Sequence, residues 1–130
     1  MAYFLVKTEP TDYSFDDLMH DGRTIWNGVT NRLALINLRA MKKNDQVFIY
    51  HSGKEKSVVG IASVGGSSDS DKGPVVELKA VRALDLKVSL SEIKSRKEFR
   101  NFDLVRNSRL SVMKVPDDLW EKILKLSGGG

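Results

Sequence analysis

A chain of 130 residues, 41% hydrophobic and 29% charged, has the composition of one globular domain able to bury roughly two-thirds of its unfolded surface. It contains no cysteine and only two histidines, His20 and His51. That excludes a disulfide framework, a thiolate nucleophile and a cysteine-zinc site and argues against a His-rich metal centre; carboxylate sites for magnesium stay open, but no spacing points to one.

Tyr3 to Thr8 reads as a first strand, stopped before Glu9-Pro10 because proline cannot continue strand pairing. This start lacks the charged n-region and cleavage site of a signal peptide, and no apolar run approaches the roughly 20 residues of a membrane span. The expectation is a cytoplasmic protein with no membrane contact. Ser14 with Asp17 three residues on is a capping signal for a helix over 15–20, ended by Asp21-Gly22. Asn27-Gly28 marks a tight turn after Trp26. Thr30 to Met41 reads as a three-turn helix. Gln46 to His51, Ser57 to Val64 and Val75 to Leu84 are three strands rich in valine and isoleucine. The polar stretch Gly65–Gly73 between the last two is expected to be a flexible loop. Ser89 or Ser91 can cap a basic helix reaching about Phe99. Leu110 to Val115 forms a last strand, and Pro116 opens a helix to Leu126. Residues 1–127 thus make one domain, with 128–130 a flexible glycine tail. The helices do not recur as regular βαβ units. The fold class is therefore α+β, with five or six strands in a strongly bent sheet or partial barrel.

The net charge of +4 is unevenly spread. Residues 9–21 carry five acids and no Lys or Arg, whereas residues 32–43 hold Arg32, Arg39, Lys42 and Lys43 without an acid. Residues 94–109 are the second basic block, with Arg106 and Arg109 near its end. Such blocks serve as phosphate contacts or as solvated helix faces. On a helical wheel, Arg32, Ile36, Arg39 and Lys43 share one stripe. Leu33, Ala34, Leu38, Ala40 and Met41 fill most of the remainder, with Asn37 inside the apolar arc. A buried amide needs partners, so Asn37 is either a core hydrogen-bonder or a group lining a pocket. Alternation along the third predicted strand puts His51 with Val47 and Ile49, and Tyr50 and Ser52 with Phe48. His51 and Ser52 therefore face apart, and no acid stands beside them to orient the histidine, which argues against a serine hydrolase. Lys7 and Glu9 share a strand face, able to pair or to line a site, while Thr8 points the other way.

Taken together, these stretches resemble the EVE domain family, a branch of the PUA-like superfamily related to YTH and ASCH domains. The residues that carry the likeness are Phe4-Leu-Val-Lys-Thr-Glu-Pro10, Ser14-Phe-Asp-Asp-Leu18, Trp26-Asn-Gly-Val29 with Asn31, and Asn37-Leu-Arg-Ala-Met41. Val47-Phe-Ile-Tyr-His-Ser52, Val59-Gly-Ile-Ala62 and Leu104 to Val112 before the Trp120 helix complete it. The resemblance implies a PUA-like pseudobarrel of about five or six strongly bent strands with flanking helices. It also implies a pocket for a modified nucleobase in DNA or RNA. The leading reading is a non-enzymatic binder with no cofactor and no catalytic residue; the oligomeric state is unknown from sequence, a monomer being the default. Three segments would supply the pocket: Trp26, Asn27, Val29, Asn31 and Asn37; then Tyr50, His51 and Ser52; then Leu104 to Ser111. Arg32, Arg39, Arg106 and Arg109 would meet phosphates. The alternatives are a small ASCH-like hydrolase of a modified nucleoside using Lys7, Thr8 and Glu9, or a protein-interaction module with a vestigial pocket. The chain departs from the family's pattern at Thr30, Arg32 and Ile36, and at Gly65–Gly73, so the base specificity of relatives does not transfer.

Overall fold

The computed structural model describes residues 1–128. Six strands form one sheet in the order β2-β5-β4-β3-β1-β6. In chain order they are β1 (Tyr3–Thr8), β2 (Arg23–Trp26), β3 (Gln46–His51), β4 (Ser57–Ser70), β5 (Gly73–Ser89) and β6 (Val112–Lys114). The helices are α1 (Phe15–Asp21), α2 (Arg32–Ala40), α3 (Leu90–Lys94), α4 (Asp103–Arg106) and α5 (Asp117–Leu126), with a 3₁₀ turn at Lys97–Phe99. β1 and β3 are parallel, while the other neighbours run antiparallel. Of the expected tail, Gly129 and Gly130 lie outside the described residues.

β1 and β3 occupy their predicted positions because both are covered on both faces, as their near-continuous apolar runs require. The parallel register sets Leu5 beside Phe48 and Lys7 beside Tyr50. Tyr3, Leu5, Lys7, Phe48 and Tyr50 therefore share one face. Helix α5 lies on it through Trp120, whose ring stacks on Phe48 and Tyr3 at centroid distances of 3.7 and 4.4 Å. Phe4, Val6, Val47, Ile49 and His51 point to the opposite face, where α1 arrives. Its start is capped as the sequence predicts: Ser14 Oγ accepts from Asp17 N–H, and Asp17 accepts from Ser14 N–H.

The expected loop at Gly65–Gly73 is instead the end of a long hairpin. β4 continues to Ser70, turns at Asp71-Lys72, and β5 starts at Gly73. Small polar side chains exposed at the hairpin tip give no hydrophobic alternation, yet their backbones still pair, Ser67 with Val76 and Ser68 with Val75. Register shifts between Val58 and Gly60, Ile61 and Ala62, and Val64 and Gly66 bend the hairpin, because each bulge adds twist and curvature. Gly60 sits where the Phe15 ring lies against the backbone, and any side chain there would meet the ring. β2 lies in a stretch whose sequence signals only the turn that follows it. It adds an edge strand, pairing Thr24 with Leu78 and Trp26 with Val76.

Helix α2 begins later than predicted, since Asn31 caps it by accepting from Ala34 N–H at 3.0 Å. Ala34, Leu38 and Met41 are buried as the wheel requires, but Leu33 remains 43% exposed. Asn37 is 5% exposed and donates through Nδ2 to the carbonyl of Val112 at 2.8 Å, joining the helix to β6. Asn37→Leu is expected to lower stability by about 1–3 kcal/mol, because that carbonyl is left unpaired in a buried place. Chemical denaturation would measure it, and a change under about 0.5 kcal/mol would contradict the role.

Candidate functional site

The parallel register places Lys7 and Tyr50 side by side at the carboxyl ends of β1 and β3. Above them the segment from α3 to the start of β6 folds over the same sheet face and leaves a cavity of ≈ 290 Å³. Tyr50, Leu104, Val105 and Leu90 form its apolar walls, while Lys7, Ser52, Ser108, Lys56 and Lys94 bring polar groups. The Lys7 ammonium lies 5.7 Å from the centroid of the Tyr50 ring, within cation–π range. It also donates to the carbonyl of Ser108 at 2.9 Å. Burial pulls the Lys7 pKa below its ordinary value and pushes the Tyr50 phenol up. The phenol therefore stays protonated, and the ammonium, with one donor used, keeps others for a ligand acceptor.

The remaining predicted residues divide. Ser52 and Leu104 line this cavity with Tyr50, but His51 does not. His51 is 8% exposed on the opposite face, where its Nε2 accepts from Phe15 N–H at 2.9 Å. The proton consequently sits on Nδ1 and is donated to Glu55 Oε1 at 2.8 Å. The ring thus ties α1 to the end of β3 and lies apart from the lining of this cavity. The Asn31 and Asn37 side chains are likewise engaged, one as a helix cap and one at Val112. Ser111 gives its backbone carbonyl to Lys7 N–H. Thr8 donates to the carbonyl of Tyr13 at 2.6 Å. Lys7, Thr8 and Glu9 therefore do not converge as a catalytic unit: Glu9 instead packs against Gly53 at the cavity rim.

Trp26 is half-buried against the core from the inner side of β2, and Val29 packs there too. Neither belongs to the lining of the Lys7–Tyr50 cavity. Asn27 is exposed in the turn, which uses Gly28 at φ +72°. The short connection 41–45 joins α2 to the start of β3, and Asn37 is bonded level with Val6. The helix thus runs back along the sheet, bringing Val29 to Arg32 toward the end that holds Lys7. Arg32, Arg106 and Arg109 are exposed there and in the covering segment. Arg39 is committed to Asp69 at 2.8 Å, a pair that depends on the ordered hairpin at Gly65–Gly73 and that no local sequence signal shows. Val105 and Ser108 fall within the Leu104–Ser111 segment that the resemblance implies, whereas sequence reasoning misses Lys56 and marks Lys94 only as part of a basic block.

Across residues 2–126 the chain matches the EVE domain family model. The chain belongs to the EVE domain family. Among solved structures, this EVE domain is similar to a Rhodopseudomonas palustris protein determined by NMR, with 33% identity and a TM-score of 0.93, covering 98% of this chain and 94% of that one. Rat (Rattus norvegicus) thymocyte nuclear protein 1 is 27% identical over 164 residues, spanning 95% of this chain and 73% of the relative. The human form of that protein, in complex with 5-methylcytosine-containing DNA, shares the fold at a TM-score of 0.89 and 24% identity, with 98% of each chain covered. The pseudobarrel with flanking helices implied by the resemblance is thus the fold of this EVE domain.

Proposed function

We propose that this EVE domain is a non-enzymatic reader of a modified base in DNA, which it takes extruded from the stack into the Lys7–Tyr50 cavity. The observation that carries the reading is the pairing of a partly buried ammonium with an aromatic and aliphatic wall. A base edge with acceptor atoms meets a charged donor there, while its ring replaces water against Tyr50, Leu104 and Val105. Support comes from the relative crystallised with 5-methylcytosine-containing DNA. Trp26, Asn27 and Val29 form the approach from the α2 side. Arg32, Arg106 and Arg109 meet the flanking phosphates; Arg39, already paired with Asp69, does not.

Fluorescence anisotropy with duplexes carrying one 5-methylcytosine or none tests this. The modified duplex is expected to bind more tightly, with affinity falling as salt rises. Lys7→Met should weaken binding about ten- to a hundredfold, because a charged hydrogen bond to the base edge is removed. Neutralising Arg106 and Arg109 should flatten the salt slope by about one unit for each phosphate no longer neutralised, and Arg39→Gln should leave it as it was. Equal binding by the Lys7→Met variant, or no binding of either duplex at low salt, would refute the reading.

A further inference from the structure

The lining of the Lys7–Tyr50 cavity contains three lysines and no carboxylate. Lys7 stands at its floor, whereas Lys56 and Lys94 are exposed at the rim. Two features bring the rim pair together. The Leu90 N–H donates to the Lys56 carbonyl at 2.7 Å, tying the β3–β4 turn to the first turn of α3. On α3, Leu90 and Lys94 stand four residues apart and so share a face, and both line the cavity. Lys56 itself adopts φ +46°, a left-handed backbone that disfavours any residue with a Cβ, so its position is held at a cost.

Of the acids nearby, Glu55 takes His51 and Lys87, Glu92 on α3 pairs with Arg96, and Glu9 lies against Gly53 at the rim, where it accepts from Thr11 Oγ1 at 3.4 Å. Among the described residues, Lys7, Lys56 and Lys94 form no salt bridge. Like charges gathered on one small rim repel one another, and an anion seated between them removes that repulsion.

We infer that Lys56 and Lys94 seat a phosphate, so that the unit this cavity takes is a nucleotide, its base against Tyr50 and Lys7 and its phosphate between the two rim ammoniums. The inference rests on the base-reading proposal and deepens it. Lysine is a mobile point charge that accepts a phosphate without a fixed fork geometry. In a duplex the anion is the phosphate beside the extruded nucleotide, and in a free nucleotide it is the terminal one.

Calorimetry at low salt with the full chain distinguishes these sources. The probes are 5-methyl-2′-deoxycytidine, its 5′-monophosphate, inorganic phosphate and a duplex containing one 5-methylcytosine. The monophosphate should bind about tenfold or more tightly than the nucleoside, with the gap narrowing as salt rises. The double variant Lys56→Gln/Lys94→Gln should melt normally, bring the monophosphate down to the nucleoside's level and flatten the duplex salt slope by about one unit, for the single phosphate no longer neutralised. Lys87→Gln, a surface control, should keep the gap. Equal binding of monophosphate and nucleoside by the wild type overturns the phosphate seat while Lys7-dependent duplex binding still stands for the base reading. A gap that survives the double variant also overturns the seat. Inorganic phosphate binding as tightly as the monophosphate overturns the nucleotide unit and the base reading together.

Discussion

Trp120→Ala should destabilise the domain by about 3–5 kcal/mol, the cost of deleting a large buried ring. The indole is 1% exposed and stacks with two other rings, Phe48 and Tyr3. Each stacked pair adds stabilisation beyond burial alone. The ring is also what fastens α5 to the sheet face carrying Lys7 and Tyr50, with Leu119 and Ile123 buried beside it. Urea unfolding should show the midpoint falling with an unchanged slope, and the melting temperature dropping by roughly 10–20 °C. Trp120→Phe, which keeps an aromatic ring in the stack, should cost far less. A loss below about 1 kcal/mol for the alanine variant would mean that α5 is held by other groups.

The second large effect falls on His51. Its ring bridges Phe15 N–H and Glu55 in a buried site, so His51→Leu leaves a buried amide without an acceptor. The expected cost is about 1–3 kcal/mol, with DNA affinity per folded molecule unchanged, because the ring faces away from the cavity. His51→Gln, whose side-chain oxygen can accept from Phe15 N–H, should recover part of the loss. The hydrogen bond from His51 holds the Glu55 carboxyl below its ordinary pKa, assisted by Lys87. A depressed carboxylate pKa contributes stability that is present above the unfolded-state value and is lost as pH falls through the folded-state value. His51→Leu should therefore flatten the acid limb of the stability profile. Weakened DNA binding by a variant of normal stability would return His51 to the binding site.

The parts of the fold legible in the sequence are those where hydrophobic pattern and backbone pairing coincide. Phe4-Leu5-Val6 and Val47-Phe48-Ile49 announce buried strands, and Ser14 with Asp17 announces a helix start. The hairpin tip at Ser67–Ser70 is illegible because its ladder is made by backbone groups whose side chains are polar and exposed. β2 is hidden by its brevity, four residues ahead of a strong turn signal. Strand alternation already separates His51 from Tyr50, but a resemblance that joins Tyr50, His51 and Ser52 in one segment obscures that split. The lysines at 56 and 94 cannot be paired from sequence, since what unites them is the Leu90–Lys56 hydrogen bond between distant segments. Arg39 looks free in the sequence only because its partner Asp69 lies in a stretch whose composition signals a loop.

The place of β1 in the sheet governs how the chain must come together during synthesis. β1, made before the other five strands of the sheet, lies between β3 and β6, and Phe4 finds its antiparallel partner at Lys114, 110 residues later in the chain. Until Val112–Lys114 emerges, the edge of β1 carries unpaired amides and carbonyls beside Leu5 and Val6. Such an edge is a template for pairing with another nascent chain. Pairings this distant in sequence also slow folding relative to a helical domain of equal size. A ribosome stalled before Val112 would therefore display a sticky, unfinished sheet, and a chaperone that shields β1 would act on the protein at that stage.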